Sequence, residues 1–227
     1  MLPSAEDTAT IAATPLFLGL SAEATALILR GATVRQFDED TLLFSAGDPA
    51  DRFHVTLKGS VRLFALNREG DEAIIEVVSA GHSFAEAALF GPVRYPVNAE
   101  AMAGARVAAI AAAPFLELLR SDSAVASLVF ASLCRWQLQL LGEIRRLKGW
   151  SPTQRLAWVL LSLADDAGEK STLVHLPYRK SIIAGQVGIT PESLSRALGR
   201  LSGLGVESRG DTIALHDIPA LRRFCQD

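Results

Sequence analysis

The chain has 227 residues, a formal net charge of -3 and 49% hydrophobic residues, which allows one large or two modest globular domains and excludes a disordered or collagen-like chain. No apolar run approaches the roughly 18 uncharged residues of a spanning helix, and residues 1–13 lack the basic start and apolar core of a secretory leader, so a cytoplasmic location without a membrane partner is expected. Two cysteines, Cys134 and Cys225, supply neither a disulfide framework nor the four thiolates of an iron–sulfur cluster.

After a start that reads as disordered, Ser21 to Arg30 has the form of a capped helix, with Ser21 as N-cap and Leu27 and Ile28 inward. From Val34 to about Ala113 the pattern changes to short apolar runs: Leu42 to Phe44, Phe53 to Val55, Val61 to Phe64, Ile74 to Val78 and Arg106 to Ile110. Turn signals separate them at Gly47-Asp48-Pro49, Lys58-Gly59, Asn67 to Gly70, Gly81 and Gly104. Evenly spaced short strands with glycine at the turns predict an all-β sandwich or barrel, and roughly 80 residues suffice for a small jelly roll.

Pro114 opens a helical stretch to about Lys148. Within it Ala126, Phe130, Leu133, Gln137, Leu140, Ile144 and Leu147 alternate steps of four and three, a heptad seam able to pair with a copy of itself, with Gln137 as its polar register residue. Val125, Val129 and Trp136 lie off that seam, where they can pack on the β domain. A helix buried wholly within one subunit shares this pattern; the dimer reading implies a rod about 50 Å long at 1.5 Å per residue. Gly149-Trp150-Ser151-Pro152 reads as a hinge. Ser151 caps a helix through Ala164 that Gly168 ends, and Leu173 to Leu176 is a short strand candidate.

The most informative stretch follows. Ile183 to Arg196 reads as a helix, a turn at Gly188 and a second helix with Thr190 as N-cap and Pro191 at the first helical position. Leu194, Leu198 and Leu201 follow at helical spacing and leave Glu192, Ser195, Arg196 and Arg200 for other faces. A helix-turn-helix places such a second helix in the DNA major groove; an ordinary αα-hairpin with solvated charges has the same spacing. Val206 to Leu215 alternates around Arg209-Gly210-Asp211 as a hairpin, in the position of a wing, and Asp217 caps a last helix carrying Leu221 and Phe224. Residues 1–148 hold 13 Lys+Arg against 17 Asp+Glu, whereas residues 149–227 hold 9 against 8, an asymmetry that suits a separate sensor and DNA-binding module.

Roll, long helix and winged helix in that order resemble the Crp/Fnr family of bacterial transcription regulators. Three segments carry the resemblance: Ser45 to Asp51 leading to Leu57-Lys58-Gly59-Ser60-Val61, Gly81 to Phe90, and Ile189 to Leu201. It implies an α+β chain with a cyclic-nucleotide-binding-like β-roll at 1–113, a dimerisation helix at 114–148 carrying Phe130, Leu133, Gln137, Leu140 and Ile144, and a winged helix-turn-helix at 149–227. It also implies a homodimer that binds DNA, works with RNA polymerase, and reorients its DNA-binding domains when an effector binds at the roll and central helix. Glu192, Ser195 and Arg196 match the Glu-x-x-Ser-Arg pattern of the fumarate–nitrate-type branch, which reads TTGA-like half-sites. Pro191 stands where the cyclic-AMP branch has an arginine. Thr190, Ser193, Arg200 and Arg209 complete the implied DNA-binding set. The chemistry agrees, since arginine forks to guanine O6 and N7 and glutamate accepts from cytosine N4.

The resemblance places the effector pocket around Phe84, Glu86, Arg94 and Tyr95. Glu86 aligns with the ribose-binding glutamate of the cyclic-AMP branch, or serves as a structural carboxylate bonded to backbone amides. Tyr95 and Pro96 stand where that branch has the Arg-Ser pair for phosphate, which disfavours a cyclic nucleotide unless the adjacent Arg94 substitutes. Phe84 to Ala87, Tyr95 and a following Ala-rich strand are similar to the dissimilatory nitrate respiration regulators, which implies nitric oxide sensed through heme b. His82 and His54 are the candidate iron ligands. Cys134 reads as a small buried hydrophobe, and His175 and His216 fall in the DNA-binding region. The sequence has no phosphate-binding glycine loop, no His-x-x-x-His pair, no Gly-x-Ser-x-Gly elbow and no Cys-x-x-Cys, so no enzyme is expected. The alternatives are a cyclic-nucleotide-dependent regulator, or a ligand-binding module without DNA activity.

Overall fold

The computed structural model describes residues 1–67, 69–91, 93–164, 170–176 and 179–225, apart from the side chains of residues 139 and 143. It divides into two units, Met1–Leu138 and Gln139–Asp227.

The first unit begins with a helix where the sequence suggested disorder. In α1 (Ala5–Ala12) Ser4 Oγ accepts from Asp7 N at 3.1 Å while Asp7 Oδ2 accepts from Ser4 N at 2.8 Å, a reciprocal capping box. Tertiary contacts finish the ordering. Arg106 forks onto Asp7 at 2.8 and 3.0 Å, and Ile11 is fully buried. Arg106 holds the Asp7 carboxyl well below the usual carboxylate range. A depressed folded pKa gives stability that is complete above the unfolded value of about 3.9 and is lost as pH falls toward the folded one. The Tm gap between wild type and Asp7→Asn is therefore expected to be widest above about pH 5 and to close toward pH 2; a gap independent of pH rejects the ion pair as its source.

Ser21 caps α2 (Ala22–Ile28) through Ala24 N. Eight strands follow: β1 (Thr33–Gln36), β2 (Thr41–Phe44), β3 (Arg52–Lys58), β4 (Ser60–Leu66), β5 (Glu72–Ser79), β6 (His82–Phe84), β7 (Asn98–Ala101) and β8 (Arg106–Ala111). They form two antiparallel sheets, β1-β8-β3-β6 and β2-β7-β4-β5, the roll that the apolar runs predicted. β1, β6 and β7 were not among those runs; the apolar residues of β7 are alanines alone. β1 buries only Val34, and β6 has three residues, too few for a visible alternation. Gly59 joins β3 to β4 at φ +70°, where a Cβ would lie 2.9 Å from the Ala105 Cα, so glycine is required twice over.

Pairing register assigns the faces of the first sheet. His54 opposes Ala109 and Phe84, Thr56 opposes Val107 and His82, and β1 brings Thr33 and Arg35 into the same rows. This face looks across at the second sheet, for the His54 ring lies 5.4 Å from that of Phe44 on β2. The opposite face carries Phe53, whose ring meets Phe17 at 6.3 Å and Phe115 at 5.0 Å. The roll therefore has a helix-covered outside and an interior between sheets.

The predicted helix from Pro114 to Lys148 is two helices, α3 (Ala112–Ser121) and α4 (Ser123–Gly149). Asp122 breaks it in an extended conformation, its Oδ1 accepting from Ala124 N at 2.9 Å and Val125 N at 3.2 Å, the usual behaviour of aspartate before a helix. The rod is thus 27 residues, about 40 Å rather than 50 Å. By length and composition α4 could cross a membrane, but Val125 and Val129 are packed in the roll's core and Ser132 donates to Pro15 O at 3.1 Å. Leu133 also packs, partly buried, against that core. Leu140 is half-buried, while Phe130, Gln137, Leu141, Ile144 and Leu147 are exposed. Trp136, expected against the β domain, is 43% exposed.

The second unit contains α5 (Pro152–Leu163), β9 (Thr172–His175), α6 (Lys180–Val187), α7 (Pro191–Leu201), β10 (Val206–Arg209), β11 (Thr212–Leu215) and α8 (Ile218–Phe224). Ser151 and Gln154 form the capping box of α5; the helix stop expected at Gly168 lies outside the described residues. Leu156, Leu160, Ile183, Leu201, Ile213, Leu215 and Leu221 make a small core. The predicted hairpin is present, and β9 adds a third strand beside β11.

Candidate functional site

The turn of the helix-turn-helix is set locally. Gly188 sits in the left-handed region at φ 73°, ending α6, and Thr190 Oγ1 accepts from Ser193 N to start α7. Leu194, Ala197 and Leu201 bury one face of α7; Ala197 is the inward residue that the leucine spacing missed. The opposite face presents Glu192, Ser195, Arg196 and Arg200 to solvent, with Ser193 half-buried beside them. Arg196 Nη2 donates to Ser193 Oγ at 2.9 Å, and Ser195 Oγ donates to Pro191 O at 3.4 Å. The Glu192 carboxyl lies below its usual range because its own backbone N–H and Thr190 donate to it, with Arg196 adding charge. An ionised acceptor and a guanidinium fork thus stand on the first turns of one helix, the arrangement that reads guanine and cytosine edges.

Arg209 is exposed on the wing. It forks onto Glu207 at 2.9 and 3.0 Å, and Glu207 also faces His216 at 3.4 Å. The Nη1 donors of Arg209 are left over from that pair, and its side chain is largely exposed.

A residue that the sequence did not single out secures the turn. Arg155 on α5 donates from Nε to Val187 O at 2.9 Å, and from Nη1 to Trp150 O at 3.1 Å and Leu147 O at 3.2 Å. It satisfies the last carbonyls of α4 and α6, which helices leave unpaired. Arg155→Met keeps the stem and removes these charged donors, with an expected cost of about 2–4 kcal/mol. The check is the urea midpoint; an unchanged value rejects the clamp.

In the roll, the expected effector residues do not act alike. Phe84 is buried, its ring stacked on His54 at 5.1 Å. Tyr95 stacks on Phe44 at 3.7 Å and donates its hydroxyl to Arg52 O at 2.8 Å. Arg94 is exposed and donates to Gly47 O at 2.6 Å, so its guanidinium is engaged on a turn. Glu86 is buried. Ser83 donates to its Oε1 at 3.1 Å, Oε2 has no partner, and burial raises its pKa. Ala85, just before it, has φ 69°, and Val93 has φ 54°. These strained non-glycine positions bracket the segment that carries Glu86, a pattern common at ligand clamps.

Two further buried atoms lack partners, His54 Nδ1 and Thr56 Oγ1, both on the inner face of β3. Burial, then the charge of Arg52, pushes the His54 pKa down to about 4, so its ring is neutral near pH 7. His82, the other candidate ligand, is exposed with Nδ1 3.2 Å from Ala80 O. Cavities of about 250 and 360 Å³ open beside His54.

A β-roll followed by a winged helix-turn-helix with an exposed helix face defines the class of two-module DNA-binding regulators. Comparison with known proteins agrees. The cyclic nucleotide-binding domain matches residues 34–122 and the Crp-like helix-turn-helix domain matches residues 154–224. The chain is 30% identical to the "Probable transcriptional regulator flp" of Lacticaseibacillus casei over 84% of its length and 86% of that protein. It is also 30% identical to the transcriptional regulator SdrP of Thermus thermophilus, over 82% and 95%. Among solved structures, DNR from Pseudomonas aeruginosa shares 29% identity at a TM-score of 0.54, over 95% of this chain and 96% of that one. The chain belongs to the Crp/Fnr family of transcription regulators, whose members bind DNA and typically form homodimers.

Proposed function

We propose that this chain is a cytoplasmic homodimer that reads TTGA-like palindromic half-sites through Glu192, Ser195 and Arg196, acts with RNA polymerase, and is switched by a small molecule inside the roll. The exposed Glu192, Ser195 and Arg196 on the first turns of α7 carry this reading. Thr190, Ser193 and Arg200 flank them, and two copies require half-sites about 34 Å apart on one face of DNA. The test is a gel shift of the full chain on a TTGA palindrome against a scrambled duplex, across a salt series. Site preference with a steep salt dependence is expected; equal affinity for both duplexes, or no binding, rejects it and leaves a ligand-binding module.

For the signal, the resemblance implied nitric oxide through heme b. His54 suits an axial ligand, being neutral and buried with a free ring nitrogen. The rest does not fit. His82 is exposed with its Nδ1 against a backbone carbonyl, and cavities of about 250 and 360 Å³ sit at the low end for drug-sized ligands, below what a tetrapyrrole fills. No mechanistic step is therefore routed through heme. Absorbance titration is expected to show no stoichiometric uptake; a one-to-one Soret complex that shifts with nitric oxide and is lost in His54→Ala overturns this view. A cyclic nucleotide is disfavoured by Arg94, whose guanidinium is held on the Gly47 carbonyl rather than offered beside Glu86.

A further inference from the structure

We propose that the cavity between the two sheets at Arg35, Arg52 and His54 is a binding site for a small organic carboxylate. It has a volume of about 250 Å³, and none of Phe84, Glu86, Arg94 or Tyr95 lines it. The neighbouring cavity of about 360 Å³ shares Leu43, Arg52 and His54 with it and is lined by Tyr95, so the site adjoins the pocket that the family resemblance marks.

The polar lining is built for an anion. Arg35 and Arg52 reach the cavity from β1 and β3, and neither guanidinium has an ion-pair partner among the described residues. The Arg35 guanidinium lies over the Phe37 ring at 5.0 Å, a contact that holds it without using its in-plane donors. Asp48 and Asp51 line the neighbouring cavity with Arg52 but form no ion pair with it. Arginine recognises carboxylate by two parallel N–H donors. Between these cations the buried His54 Nδ1 has no partner, and a buried nitrogen left without one costs stability. A carboxylate, or a hydroxyl or carbonyl next to it, satisfies that nitrogen and the two guanidinia together.

The rest of the wall fixes the size and the body. Phe37 and Leu43 close the cavity from β1 and β2, with Val107 behind, so beyond its anionic end the ligand is apolar. The volume lies below the roughly 300–1,000 Å³ of pockets for drug-sized molecules, which selects an acid of few atoms. Register explains how the site assembles. Thr33, Ala109 and His54 share one row, Arg35 stands one row beyond it opposite Val107 and Arg52 one row before it opposite Ala111, so the two cations flank the His54 row from strands on either side of β8.

The experiment uses the full chain with sodium benzoate as probe and benzamide as its neutral counterpart, read by calorimetry and by the ¹⁵N signal of His54. Benzoate is expected to bind saturably and to move the His54 signal, with benzamide at least about tenfold weaker, as expected for loss of a charge-assisted bond. Arg35→Gln and Arg52→Gln are each expected to weaken benzoate about tenfold, while Lys58→Gln, an equal charge loss outside the cavity, leaves it unchanged. Should Arg52→Gln fail to fold, Arg35→Gln on an exposed position of β1 carries the test. Equal affinity for benzoate and benzamide, unchanged affinity in both arginine variants, or no saturable benzoate binding overturns the proposal. None of these readouts involves DNA, so the outcome is independent of the reading of α7.

Discussion

Arg196→Ala is expected to abolish site-specific DNA binding while leaving fold and oligomeric state intact. The side chain is exposed and donates to Ser193 Oγ on the same helix, so truncation opens no cavity and orphans no buried group. What is lost is a guanidinium fork, which discriminates a base pair by about 1–3 kcal/mol. A dimer reads two half-sites, so the loss doubles to about 2–6 kcal/mol, a fall in specific affinity from roughly 30-fold to more than 10⁴-fold. Non-specific affinity is set by phosphate contacts and changes little. Two further substitutions separate base reading from charge. Arg196→Lys keeps the cation without the planar fork and is expected to recover only part of the preference. Arg200→Ala, a turn further along the exposed face, is expected to weaken all sequences alike and to reduce the salt slope by about one. Wild-type sequence preference in Arg196→Ala removes this residue from the reading set.

The difference between Arg196 and the roll cavity shows what a sequence can convey. In α7 the N-cap, Pro191 and the leucine spacing are all local, so helix, buried face and reading face follow from a dozen residues. β3, β4, β5 and β8 were legible for the same reason, as apolar runs between turn signals. α1 was missed although its Ser4 and Asp7 box stands in the sequence, because its decisive partner, Arg106, lies 99 residues away. The cavity is less visible still. Arg35, Arg52 and His54 converge only once register is known; the two arginines alone read as ordinary strand residues, and His54 stands out only as a candidate iron ligand. The seam of α4 is ambiguous in the sequence for another reason. Leu133 beside Cys134 and Leu140 beside Leu141 give two interleaved stripes with identical four-three spacing. Packing of Leu133 against the roll decides between them, and no periodicity carries that information.

The exposed stripe runs through Phe130, Gln137, Leu141 and Ile144, and it predicts the second large effect. Phe130 is 69% exposed, Leu141 50% and Ile144 47%, an apolar face on a helix whose other side is already packed in the roll. A solvated helix face is normally polar, and contiguous exposed apolar surface marks an interaction site. A second copy is the partner that the family implies, pairing this stripe with itself by knobs-into-holes packing with Gln137 at the register position. Phe130→Asp places a carboxylate opposite its own symmetry mate and removes an aromatic anchor. Such anchors contribute about 2 kcal/mol or more when truncated, and a two-fold interface counts the loss twice, so dimerisation is expected to weaken at least about 10³-fold. Light scattering of Phe130→Asp, and separately of Leu141→Asp, is expected to give the monomer mass with unchanged circular dichroism. Leu133→Ala, by contrast, is expected to lower Tm while leaving the dimer mass unchanged. If Leu133→Ala yields monomers and Leu141→Asp stays dimeric, the seam lies where the spacing first put it, and the packing argument against Leu133 is wrong.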